Sequence, residues 1–140
     1  MISLGRAVRL AINAEGERAY PDECCGVMLG SIGEAGDRRV TAIIGVENAR
    51  EDGERYHRFV IEPEDFMRAE AEARRMGLDV LGFYHSHPDH PAEPSDYDRE
   101  HAMPFYSYVI VSVEEGTASE LTSWELAADR SEFFRMSCGE

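Results

Sequence analysis

The stretch FYHSHPDHPAEPSDYD, running from Phe83 to Asp98, carries most of the chemical information in this chain. Val80 to His87 reads as a short apolar strand. Pro88, Pro91 and Pro94 then impose a stiff, partly extended loop, and Ser95 reads as the start of a short helix. Alternate side chains of a strand share a face, and residues rise about 3.3 Å each, so the Cα atoms of His85 and His87 lie roughly 6–7 Å apart. Two imidazoles so placed can reach one ion at about 2.0–2.1 Å. A lone histidine is more often a hydrogen-bonded core or surface residue. This pair sits at a strand end, where sites tend to be exposed, and metal binding weighs evenly against that bland reading.

A catalytic zinc commonly takes three protein ligands and keeps a fourth position for water. Asp98 is the candidate third ligand. The competing reading is structural, because Ser95-Asp96-Tyr97-Asp98 has the form of a capping box, in which both side chains only satisfy backbone N–H groups. Taken alone, the cap is the stronger reading. The two are compatible, since a helix start would hold both side chains rigidly beside the histidine loop. Asp89, His90, Glu93 and Asp96 are further donors in this loop, with His90 placed near its entrance; His57 and His101 read as structural. Hydrolysis also needs a group that takes a proton from water and returns it to the leaving group. Glu23, in Tyr20-Pro21-Asp22-Glu23-Cys24-Cys25-Gly26, stands where a helix gives way to a strand, although it is one of 28 acidic residues and equally reads as part of a solvated turn.

Working outward, apolar residues at Leu4, Ala7, Val8, Ala11 and Ala14 have helical spacing, and the helix is expected to run from Leu4 to about Tyr20, where Pro21 stops it. Cys25–Ile32, Arg39–Asn48 and Tyr56–Ile61 read as strands separated by Gly- and charge-rich turns. Pro63 with Glu64 and Asp65 marks the first turn of a second helix, with a buried stripe of Phe66, Ala69, Ala73 and Met76 and a cap at Gly77. Tyr106–Val113, Glu120–Leu126 and a segment near Phe133 complete the strands. This order of elements fits a single α/β sandwich with a mixed central sheet, not a doubly wound parallel fold.

One hundred and forty residues suit one domain, expected to span 1–140, and the 43% hydrophobic content suffices for a core. With 28 acidic against 14 basic residues the net charge is −14. Such a surface repels phosphate backbones and anionic headgroups, so neither nucleic acid nor membrane is an expected partner. Arg6 and Arg9 interrupt the apolar N-terminal stretch, so no signal-peptide core is expected, and no apolar run is long enough to span a bilayer. Cys24, Cys25 and Cys138 are odd in number and form no Cys-x-x-Cys pair, which points to a reduced, cytoplasmic protein. Adjacent cysteines at a strand start read as small buried residues.

Together these residues resemble the JAMM/MPN+ metalloprotease family. Its signature is Pro-x-Glu-x-x-Gly, then His-x-His, seven residues, and Ser-x-x-Asp. Here that is Pro21-x-Glu23-x-x-Gly26, His85-Ser86-His87, the seven residues from Pro88 to Pro94, and Ser95-x-x-Asp98. The His-to-Asp part is the specific one, with four residue types at fixed spacing. The resemblance implies a cytidine-deaminase-like (MPN) fold, one zinc ion per chain held by His85, His87 and Asp98, Glu23 as general acid/base, and Ser95 as donor to the oxyanion of the tetrahedral intermediate. The chain lacks the long insertions of the family's eukaryotic deubiquitinases and is similar to compact bacterial members of the Mec type. That implies hydrolysis of the amide bond after the C-terminal Gly-Gly tail of a ubiquitin-like sulfur carrier protein, releasing an amino acid or a peptide. The alternatives are an isopeptidase that removes such modifiers from lysines, and a non-catalytic MPN scaffold. The His-x-Glu and Pro-Cys-x-x-Cys signature of the cytidine deaminases is absent, as is His-Glu-x-x-His. The oligomeric state is left open.

Overall fold

A computed structural model describes residues 1–47 and 61–140. The elements, in chain order, are β1 (Ile2–Leu4), α1 (Arg6–Ala19), β2 (Cys25–Ile32), β3 (Arg38–Val46), α2 (Pro63–Met76), β4 (Asp79–Pro88), α3 (Asp96–His101), β5 (Ser107–Glu114), β6 (Thr117–Leu126), β7 (Phe133–Met136) and β8 (Cys138–Gly139). The strands form one sheet in the order β7-β6-β5-β4-β2-β3-β1-β8. Three pairings, β1–β3, β1–β8 and β4–β5, are parallel, while those joining β2 to β3, β2 to β4, β5 to β6 and β6 to β7 are antiparallel. The mixed sheet and the α/β sandwich are as expected from the order of elements. No described helix is long and apolar enough to cross a membrane.

The two faces of the sheet carry separate cores. On one, Val8 and Ile12 of α1 pack against Met28, Leu81, Tyr84, Val109 and Val111. On the other, Ala69 and Ala73 of α2 pack against Val27, Leu29, Phe83 and Tyr108. Adjacent cysteines fall on opposite faces, Cys24 with the first core and Cys25 with the second, as strand alternation requires. Burial pushes both thiols above their usual range, Cys24 to about 11, so they are core residues in their chemistry as well as their packing. A single residue, Ser137, separates β7 from β8, although these strands lie at opposite edges of the sheet. The sheet therefore curls around α1, which meets β3, β4, β5 and β6 in turn.

Helix α2 follows its sequence signals closely. Pro63 opens it, Glu64 and Asp65 occupy the first turn, and Gly77 ends it in the left-handed region at φ 71°. Its stripe is narrower than the spacing suggests: Ala69 and Ala73 are buried, Phe66 is half-buried against Phe83 and Tyr106, and Met76 is exposed. The first helix departs further. Leu4 lies in β1, opposite Val40, and the helix begins only after Gly5. Ala7 and Ala14 face solvent, and the buried stripe is Val8, Ile12 and Gly16. Alanine is tolerated on either face of a helix, so an alanine-rich stretch leaves its phase undetermined. The Tyr56–Ile61 strand and His57 lie outside the described residues, save Ile61, which is not in a strand. β8 is too short to leave any sequence pattern.

Gly26 illustrates how the sheet constrains its residues. It pairs with Tyr84 across β2 and β4, and the fully buried Tyr84 ring lies over it so that its hydroxyl donates to Glu15 Oε1 at 2.7 Å. A Cβ at position 26 would fall inside that ring. Gly26→Ala is therefore expected to cost roughly 1–3 kcal/mol or more, as overpacking does in a tight core. Urea unfolding would measure it, and an unchanged midpoint would mean that Tyr84 has room to move.

Candidate metal centre

At the carboxyl end of β4, strand alternation turns His85 and His87 to the α2 face, alongside Phe83, while Tyr84 and Ser86 turn to the α1 face. The chain then runs through the proline loop to α3. Ser95 caps that helix with the expected box: its Oγ accepts from Asp98 N at 3.0 Å, and Asp98 Oδ2 accepts from Ser95 N at 2.9 Å. The same Oδ2 reaches the histidines. It lies 3.3 Å from His85 Nε2 and 3.2 Å from His87 Nε2, which are themselves 3.1 Å apart. Capping and convergence are thus properties of one carboxylate.

These three atoms form a nearly equilateral triangle. Donors bound at about 2.0–2.1 Å to one tetrahedral ion stand about 3.3–3.4 Å from one another, so the triangle has the size of one face of such a site. Protons alone serve it poorly: two Nε2–H groups cannot face each other at this distance, whereas a cation would satisfy all three lone pairs together. Glu23, buried at 4% exposure, joins the group, its carboxylate lying within 4.8 Å of both histidine nitrogens. Glu23, His85 and His87 thus form a buried group able to hold a metal ion. Asp98 Oδ2 lies within 3.3 Å of both ring nitrogens.

The electrostatics follow from the burial. Enclosure pushes the His85 imidazole below its ordinary value, favouring the neutral form that offers a lone pair. For His87, burial works in the same direction but is outweighed by Asp98 and the Pro91 carbonyl, so its basicity rises. Burial alone would raise Asp98, yet the two imidazoles and the Ser95 N–H hold its carboxyl far below the usual range, and it stays ionised. His87 Nδ1 donates to Pro91 O at 2.8 Å, which directs Nε2 at the centre in its acceptor form.

Several residues that serve the site were not legible as candidates. Ser86 Oγ accepts from Cys24 N at 2.8 Å, and Ser86 N donates to Cys24 O at 3.1 Å, which clips the Glu23 segment to the strand bearing both histidines. Tyr20 donates to Asp89 Oδ2 at 2.6 Å, joining the same segment to the proline loop. Asp89 also accepts from Glu115 N and is turned away from the centre. His90, Glu93 and Asp96 line a cavity of about 500 Å3 that Glu23, His87 and Ser95 share, but stand outside the triangle. His101, read as structural, stacks on Tyr97 and hydrogen-bonds its carbonyl.

Residues 5–127 match the family described as prokaryotic homologs of the JAB domain. The chain belongs to that family. The desampylase of Haloferax volcanii is 37% identical over 107 residues, which are 75% of this chain and 73% of that protein. A protein from Salinibacter ruber solved in solution is 43% identical, with a TM-score of 0.78, over 99% of this chain and 90% of its own. One from Desulfitobacterium hafniense is 28% identical, with a TM-score of 0.84, over 99% and 91%. A JAB1/MPN domain protein of Archaeoglobus fulgidus, at 20% identity and a TM-score of 0.58 over 99% and 98%, shares the fold. This JAB-domain protein is thus of the compact prokaryotic JAMM/MPN type, as its motifs imply.

The cap and ligand readings of Asp98 separate cleanly. Asn at this position keeps an oxygen for the Ser95 N–H and loses the anion. In saturating zinc the wild type should melt on the order of 10 °C higher than without metal. Asp98→Asn should melt near the metal-free wild type and lose most of that shift. A shift that survives the substitution, followed by calorimetry, would reduce Asp98 to a cap.

Proposed function

We propose that this protein is a zinc-dependent hydrolase, with one zinc per chain held by His85, His87 and Asp98, that cuts the amide bond after the C-terminal Gly-Gly tail of a ubiquitin-like sulfur carrier protein. The observation that carries the reading is the triangle of donor atoms with the buried Glu23 carboxylate beside it. Family membership and the similarity to a desampylase support hydrolysis of a linkage made by a ubiquitin-like modifier. That similarity also favours a second reading, in which the bond cut joins the modifier to a lysine. A complete donor set argues against a purely scaffolding protein, and three free thiols suit the reducing cytoplasm.

Zinc held by these donors would supply Lewis acidity toward the scissile carbonyl and toward water. The chain's own residues do the rest. Glu23 takes a proton from the attacking water and returns it to the departing amine. The Ser95 oxygen already accepts from Asp98 N, which leaves its O–H free to donate toward the cavity, where oxyanion charge develops. His87, fixed by Pro91, and Asp98, fixed by the helix cap, hold their donor atoms in place without reorganisation.

The decisive experiment incubates zinc-loaded protein with a carrier bearing a C-terminal cysteine and, separately, with a lysine-linked conjugate, following intact mass. Wild type should release the group from at least one, and Glu23→Gln should be slower by about 10²–10⁴-fold, the usual contribution of a general base. If the linear adduct stays whole while the conjugate is cut, the isopeptidase reading replaces the first. Intact substrates in both cases, with zinc bound, would overturn the hydrolase.

A further inference from the structure

The loop between β4 and α3 has an unusual task, since one candidate ligand lies at each of its ends. Three consecutive carbonyls in it are each gripped by a side chain of the sheet. His90 O accepts from Ser112 Oγ at 2.6 Å, Pro91 O from His87 Nδ1 at 2.8 Å, and Ala92 O from Thr122 Oγ1 at 2.6 Å. Ser112 stands on β5 directly opposite His87, and Thr122 on the next strand, β6; both are 2% exposed. Trp124 Nε1 donates to Thr122 Oγ1 at 2.8 Å, so the threonine's own proton is committed to Ala92.

We propose that Ser112 and Thr122 are positioning residues for the metal ligand His87, acting through the main chain of residues 90–92. This rests on the metal reading above. The His87 ring is oriented by the Pro91 carbonyl, which also accepts from Glu93 N at 2.8 Å, and the peptide units on both sides of it are held by Ser112 and Thr122. Neither hydroxyl belongs to the signature motif, and neither is among the candidate ligands. Their contribution is to keep His87 Nε2 at the corner of the triangle, where a displacement of a few tenths of an ångström spoils the common distance to the ion.

Zinc affinity, measured by chelator competition below the melting temperature of every protein compared, tests this directly. The double variant Ser112→Ala/Thr122→Val should bind zinc roughly tenfold more weakly or worse, in the range seen when partners of metal ligands are removed. Thr122→Ser, which restores the hydroxyl, should bind like the wild type. So should Ser119→Ala, whose hydroxyl donates to Ser112 O at 3.3 Å and touches no loop group. A merely structural role would lower the metal-free melting temperature and leave the affinity unchanged, and that result overturns the proposal. Should the double variant not fold, the single variants carry the test, each expected to bind more weakly than Ser119→Ala; equal affinities again overturn it. A wild type that binds no zinc overturns the clamp together with the metal reading. Because no substrate is involved, a wild type that binds zinc but cuts nothing leaves the clamp standing.

Discussion

Strand β4 is bonded on both sides, antiparallel to β2 and parallel to β5, and the rest of the molecule is arranged around that constraint. A strand so enclosed can present side chains only to the two faces, and beyond the register shift at Leu81 those of β4 alternate from Phe83 onward. The α2 face receives Phe83, His85 and His87, and the α1 face receives Tyr84 and Ser86. Both sets are needed by the site. Tyr84 and Ser86 face away from the candidate metal centre, yet Tyr84 requires a glycine at 26, and Ser86 clips the main chain of Cys24. The face opposite the chemistry thus governs where Glu23 enters it.

Burial gives the site its electrostatic character. An ionised carboxylate withdrawn from water carries a large desolvation penalty unless it is paired and hydrogen-bonded. Asp98 has both kinds of compensation, from the Ser95 N–H at the helix start and from two imidazoles, and stays ionised despite its enclosure. The helix cap is therefore part of the candidate metal centre: it supplies the hydrogen bond that lets the carboxylate stay charged where a cation would use it. The same enclosure keeps His85 neutral. His85 and Asp98 thus stand in the neutral and ionised forms that a divalent ion requires, whereas His87 would have to give up a proton to it.

What the sequence discloses and what it withholds divide along sequence separation. The helix at Pro63, with its carboxylates and its glycine cap, is specified within a single turn at each end, and its bounds are readable. So are His85, His87, Ser95 and Asp98, whose chemistry depends on short, fixed spacings. The phase of α1 is not readable, because Ala7 and Ala14 carry too little surface to favour either face, and Leu4 fits the helical pattern although it belongs to β1. Glu23 stands out only through the family signature; by spacing it is one carboxylate among many. Ser86, Ser112, Thr122 and the Tyr20–Asp89 pair act across separations from 22 to 69 residues, and nothing local marks a serine or threonine in a strand as the partner of a distant carbonyl.

The proline loop shows why those distant partners are serine, threonine and histidine. Pro88, Pro91 and Pro94 stiffen the segment, and each removes a backbone N–H while keeping its carbonyl. The loop therefore carries more acceptors than donors, and Ala92 is fully buried within it. A buried carbonyl without a donor is costly, and the loop's own backbone has few donors to offer. The deficit is met from the sheet: Ser112 and Thr122 donate to the His90 and Ala92 carbonyls, while Pro91 O accepts from His87 Nδ1 and from Glu93 N within the loop. Rigidity and hydrogen-bond satisfaction are thus two consequences of the same composition. The prolines restrict the loop, and the donors their presence demands anchor it at the point where His87 must be held.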